Sequence, residues 1–276
     1  MPEMKKSLVE QLYREFTEGN TRGILLYGPP GCGKTYAAKS LAEYTSERTG
    51  QKVSLLCAYM SNIFCQGPIR TARNIRKFFN DASKRSPSVL YVDEFDGLGG
   101  ARRGRSVYAD TVTNEFLADF DTIKDKDVIV IGATTSPWDV DPSFMGPDKI
   151  GRKILVGTPD LDTKAAYFEE CFKRRKLAAD VDFNRLAKIT ENYSFSDINS
   201  VSEHAGSIAF HASMAIKNPD RGIKQKDILK AVSSIDPEIY MWCCEAKRAL
   251  RNPENTKDFP DIARLVDKTS SGRPKK

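Results

Sequence analysis

Over the first 158 residues, apolar positions fall in short, almost unbroken runs separated by longer stretches of helical spacing. The runs GILLY (23–27), KVSLLCA (52–58), SVLYVDEF (88–95), DVIVIGAT (127–134) and KILVG (153–157) predict strands. A strand apolar at nearly every position is covered on both faces, so these runs predict a parallel sheet between layers of helix. TYAAKSLAEYTSER, IRTARNIRKFFNDASK and VYADTVTNEFLADFD, with apolar residues every three to four positions, supply the helices. An open α/β sheet follows.

After TPDLD the strand pattern stops. AAYFEECFKRRK, VDFNRLAKITEN, FSDINSVSEHAGSIAFHASMAIK and KQKDILKAVSSI are helical in pattern. The division expected is an amphipathic N-terminal helix in residues 1–20, an α/β domain over 21–158, a small α-helical lid over 159–250 and a basic tail over 251–276 with one short helix.

Composition narrows the class. The chain of 276 residues is 40% apolar and 29% charged, and no window approaches the run of about 18 uncharged apolar residues that a membrane span needs. Charges interrupt every apolar run near the N-terminus, unlike a signal peptide. A soluble, cytoplasmic protein with no membrane span is expected. Cys32, Cys57, Cys65, Cys171, Cys243 and Cys244 show no CxxC spacing, and His204 and His211 are the only histidines. That pattern argues against zinc and for reduced thiols. The net charge of +6 is concentrated partly in RRGR (102–105), KRRK (173–176) and the terminal GRPKK, which read as solvated faces or as a weaker pointer to nucleic acid.

The chemistry lies at strand ends. GPPGCGKT, Gly28 to Thr35, fits GxxxxGK[ST] between a predicted strand and a predicted helix. Backbone N–H groups of Gly28, Pro30-flanking Gly31, Cys32 and Gly33 would wrap phosphates, with Pro29 and Pro30 shaping the turn and Tyr36 in the first helical turn. Lys34 would reach the β- and γ-phosphates of ATP, and the Thr35 hydroxyl would ligate Mg2+. SVLYVDEFD ends a strand in Asp93 and Glu94, where Asp93 can hold the metal and Glu94 can polarise water. Thr134 and Thr135 end the next strand as hydroxyls available to the γ-phosphate or the attacking water.

The succession GILLYGPPGCGKT, SVLYVDEFD, VIVIGATTSPWDVDPSF, DKIGRKILVGTPD and YSFSDINSVSEHAGSIAF resembles the AAA+ ATPases, most closely the classical AAA clade that includes katanin, spastin, FtsH and the proteasomal ATPases. The resemblance spans about Thr21 to Ile235. It implies a P-loop AAA+ parallel five-stranded sheet flanked by helices, a helical lid, and a homo-oligomeric ring, usually a hexamer, with ATP between neighbours. By the same resemblance Lys34 and Thr35 match Walker A, and Asp93 and Glu94 match Walker B. Thr135 stands where the family has its sensor asparagine. Lys149 and Arg152 stand at the two arginine-finger positions, so the first finger loses its planar fork. Tyr193 to Asp197 align with FSGAD, Phe195 replacing the glycine. Ile63 and Phe64, within MSNIFCQG, are the nearest match to a pore loop, with core packing at the end of the second strand as the alternative.

These features imply an ATP-hydrolysing ring that threads or dismantles a protein substrate. Only about 20 residues precede the first strand, so recognition is expected to fall to the pore, the tail or an adaptor. Two alternatives stay open: a nucleic-acid ATPase such as a helicase loader or replication factor, suggested by the basic clusters, and a nonhydrolysing nucleotide switch.

Overall fold

The computed structural model describes residues 6–18, 21–59, 63, 67–98, 107–218 and 221–271. Five strands, β1 (Gly23–Tyr27), β2 (Ser54–Ala58), β3 (Ser88–Val92), β4 (Val128–Thr134) and β5 (Ile150–Leu155), form one parallel sheet in the order β2-β3-β4-β1-β5. Four strands begin within two residues of their predicted starts. β5 begins three residues early, because Gly151 and Arg152 are exposed on an edge strand and need no apolar signature to pair with β1.

Alternating side chains separate the two faces. Leu25, Tyr27, Leu90, Val92, Val128 and Val130 meet α3 (Pro68–Lys84) and α4 (Val107–Asp121), where Phe79, Phe116 and Phe120 pack with Phe95 and Phe144. Ile24, Leu26, Val89, Tyr91, Ile129 and Ile131 meet α1 (Lys6–Thr17) and α2 (Lys34–Thr49) through Leu12, Ala38 and Leu41.

A third core belongs to α5 (Leu161–Phe172), α6 (Phe183–Ile189), α7 (Phe195–Ala215) and α8 (Gln225–Ser234), closed around Phe168, Phe172, Leu186, Ile198 and Ile228. The sheet and lid expectation is thereby met. Helix α7 starts where it does because Ser194 and Asp197 form a reciprocal capping box: the Ser194 N–H donates to Asp197 Oδ2 at 2.8 Å and the Asp197 N–H donates to Ser194 Oγ at 3.2 Å.

Residues 239–271, expected as the end of the lid followed by a tail with one short helix, instead pack on the sheet. Helix α9 (Ile239–Ala249) returns to the sheet, burying Trp242, Cys243 and Ala246, and is followed by α10 (Pro253–Asp258) and α11 (Pro260–Ser271). Phe259, Ile262 and Val266 join the same core. Three apolar residues at helical spacing among many charges are too few to read as an element until the surface they cover is known.

Candidate nucleotide site

The phosphate loop, the acidic pair and the two threonines sit at the carboxyl edge of the sheet. The loop 28–33 leaves β1 and feeds α2, and β4 separates β1 from β3. At about 4.8 Å per strand spacing, the carboxyl ends of β1 and β3 lie about 10 Å apart with the end of β4 between them. That places Thr134 and Thr135 between the phosphate loop and the acidic pair.

The loop is tight. Gly28 has φ +138°, and a Cβ there would lie 2.5 Å from the Val156 carbonyl oxygen. Gly31 has φ +66°, and a Cβ would come within 1.7 Å of Ser196 Oγ at the start of α7. The Phe195 N–H donates to the Gly31 carbonyl at 3.1 Å, so the lid is docked on the loop itself. The Phe195 ring is buried edge-on against Tyr167 at 4.8 Å. This ring stands where the resemblance implies a glycine.

Lys34 is buried, its Nζ donating to the carbonyls of Gly28 at 2.9 Å and Pro29 at 2.8 Å. Burial pushes its pKa down to about 8, while Cys32 and Asp93 act in the opposite direction. Thr35 Oγ1 lies 2.9 Å from the Tyr91 hydroxyl. Asp93 is half-buried, and its Oδ1 accepts the Glu94 N–H at 3.0 Å. Glu94 is exposed and holds a left-handed backbone at φ 52°, ψ 46°, an uncommon conformation for a residue with a side chain and one that gathers at functional sites.

The paired threonines divide their work. Thr134 is buried and committed: its Oγ1 donates to Asp96 Oδ1 at 2.5 Å and accepts the Ser136 N–H at 2.8 Å. Thr135 is half-buried, and its carbonyl accepts the Trp242 indole N–H at 2.7 Å. Asp96 and Trp242 thus brace the end of β4. Neither was legible as a site residue: Asp96 reads as a surface acid, and Trp242 lies 107 positions away.

Lys149 and Arg152 are not brought to this pocket. Ile150 pairs with Gly23 and Arg152 with Ile24, at the end of β1 away from the phosphate loop. Lys149 Nζ donates to the Ser143 carbonyl at 2.9 Å, and the exposed Arg152 pairs with Glu15 at 3.0 Å. Ile63, read from the sequence either as pore loop or as core at the end of the second strand, is packed in the core. It is 2% exposed within the sheet core beside Ile75 and Phe79, and its carbonyl accepts from Asn74 Nδ2 at 3.2 Å. An aliphatic side chain at the end of β2 gains more from burial under α3 than from solvent. Phe64, residues 102–105 and residues 272–276 lie outside the described residues. Within KRRK, Arg175 is engaged by the Ser202 carbonyl at 2.5 Å and stacks over Phe172. Among the described residues no group of three or more His, Cys, Asp or Glu could hold a metal, and no helix is long and apolar enough to cross a membrane.

A parallel sheet with a glycine-rich phosphate loop, an acidic pair two strands away and a lid resting on the loop defines a P-loop nucleotide-binding domain. Residues 24–158 match the AAA family, described as the ATPase family associated with various cellular activities. The chain is 32% identical over 225 residues to the ATPase family gene 2 protein of Schizosaccharomyces pombe, covering 78% of this chain and 27% of that one. It is 30% identical over 224 residues to the ATPase family gene 2 protein of Saccharomyces cerevisiae, covering 80% and 28%. Identity is also 30% over 230 residues to a putative cell division cycle ATPase of Plasmodium falciparum, covering 79% and 18%. The chain belongs to the AAA+ ATPases, in the classical clade. It spans between 18% and 28% of the length of these curated relatives.

Proposed function

We propose that the chain is the ATP-hydrolysing module of a ring, a hexamer by the family's habit, that uses turnover to remodel a protein substrate. The observation that carries the enzymatic part is the convergence of Lys34, Thr35, Asp93 and Glu94 at one sheet edge, with the Lys34 ammonium close enough to Asp93 to feel its charge.

In this reading Lys34 leaves the Gly28 and Pro29 carbonyls for the β- and γ-phosphates, while the first-turn N–H groups of α2 hold the remaining oxygens. The hydroxyl of Thr35 and the carboxylate of Asp93 form an oxygen-only donor set at one corner of the loop, which fits Mg2+ and not a soft metal. Magnesium, when held there, offsets the charge that develops on the transferring phosphoryl group. Glu94 accepts a proton from the attacking water, and the Thr135 hydroxyl orients that water or the γ-phosphate.

Arg152 and Lys149 sit too far from their own pocket to contribute to it, which supports a role toward a neighbouring subunit's γ-phosphate. Arg152 would first have to leave Glu15. The protein-remodelling part rests on membership of the family, and the substrate or adaptor is recognised by surfaces outside this site. Replacing Glu94 by Gln tests the reading. The variant is expected to bind ATP at the wild-type affinity, assemble and retain substrate, with phosphate release lowered by roughly 10²-fold or more. Unaltered turnover removes Glu94 from this role, and equal retention of substrate by wild type and variant removes the remodelling cycle.

A further inference from the structure

We propose that Tyr91 is a positioning residue of the metal corner: its phenol oxygen accepts a hydrogen bond from the Thr35 hydroxyl and its O–H donates one to Asp93, so that the Thr35 lone pairs face the cation. This deepens the magnesium reading above and rests on it.

Three observations converge. Tyr91 lies fully buried on the α2 face of β3, two residues before Asp93 at the strand's carboxyl end. Its hydroxyl is 2.9 Å from Thr35 Oγ1 across the gap between β3 and the first turn of α2. The Asp93 carboxylate lies near enough for its charge to favour the protonated phenol, so that the Tyr91 O–H keeps a proton to donate. One buried hydroxyl therefore touches Thr35 and stands beside Asp93, the two residues that the site offers to a divalent cation.

The consequence follows from counting protons. A threonine hydroxyl has one proton and two lone pairs; as a metal ligand it must turn a lone pair toward the cation and give its proton away from it. Here the acceptor in reach is the Tyr91 oxygen. A phenol that has accepted needs an acceptor for its own proton, and Asp93, ionised, supplies one. The order Thr35 to Tyr91 to Asp93 satisfies all three groups with every donor used once. The reverse order would spend one Thr35 lone pair on the phenol, leaving a single one for the cation, and would give Asp93 no donor from Tyr91. Groups that orient a metal's ligands without touching it set affinity strongly, typically by ten- to a hundredfold.

Strand β3 would serve as packing equally well with phenylalanine at position 91, which makes Tyr91→Phe the decisive change. The full chain is titrated with a fluorescent methylanthraniloyl ADP, once in excess MgCl2 and once in EDTA, with the thermal midpoint of each variant recorded. Wild type is expected to bind more tightly with magnesium. Tyr91→Phe should keep the wild-type affinity in EDTA and lose about tenfold of the magnesium-dependent tightening. Thr35→Ala should lose that tightening entirely, and adding Tyr91→Phe to it should change nothing further. A Tyr91→Phe protein with undiminished magnesium dependence overturns the proposal, as does an equal loss in MgCl2 and EDTA, which would mark a packing role. If wild type itself binds equally in both, the magnesium reading fails before any variant is compared.

Discussion

At the scale of single residues, the site is a set of groups held in costly states. Lys34 is the clearest: an ammonium buried against two carbonyls, its pKa pushed down to about 8 by loss of hydration. Phosphate restores the charged form, so binding of ATP raises that pKa. The sign of the pH effect follows. Below about pH 7 the lysine is already protonated and affinity is flat. Above about pH 8 the free site loses its proton and binding must take one up, so affinity falls toward tenfold per pH unit. Calorimetry of ADP or ATP binding in buffers of different ionisation enthalpy should register this proton uptake near pH 8.5 and little near pH 6.5. Pocket electrostatics of another kind would leave the heats independent of buffer. Glu94, in its left-handed conformation, was legible from its position after Asp93, whereas its backbone strain was not. Tyr91 was read only as one more apolar strand residue, because a run of Leu, Tyr and Val shows burial without showing what the phenol meets.

At the scale of elements, the sheet was readable where both faces are covered and unreadable where one edge is open. GILLY became β1 with the predicted bounds, while β5 extends back through an exposed Arg152. The helices after residue 238 are the larger surprise. Phe259, between α10 and α11, stacks edge-on against Tyr27 at 5.1 Å, and Lys153 lies over its ring at 4.7 Å. Tyr27 is the last residue before the phosphate loop. Phe259→Ala should therefore cost about 3–4 kcal/mol of stability, the usual range for deleting a buried ring. It should also weaken nucleotide binding by loosening the end of β1. Urea unfolding followed by ADP titration checks both, and a loss under 1 kcal/mol would show that α11 is a mere appendage. Trp242 does comparable work from α9, fixing the Thr135 carbonyl and lying 5.9 Å from Trp138.

For the whole molecule, the decisive fact is polarity. One edge of the sheet carries the phosphate loop, and the other carries Lys149 and Arg152. A single subunit cannot bring the two together, so full activity is expected to need a neighbour. Phosphate release per subunit should rise with protein concentration as assembly proceeds. Arg152→Ala should reduce the assembled rate by roughly a hundredfold or more while leaving nucleotide affinity of the dilute chain unchanged. Turnover per subunit that does not vary with concentration, or that survives Arg152→Ala, would mean each subunit acts alone. The Arg152 to Glu15 pair is exposed on the arginine side, so releasing it should oppose assembly only weakly.

The order of motifs along the chain determined the class of fold, the phosphate loop and the acidic pair, because each is a local pattern: an apolar run, glycines at fixed spacing, a carboxylate pair at a strand end. What no local pattern holds was decided by packing. The docking of Phe195 on Gly31, the return of α9 and α11 to the sheet and the contact of Tyr91 with Thr35 all join positions distant in sequence. Such contacts depend on which surfaces the folded chain leaves uncovered, and that is a property of the tertiary structure.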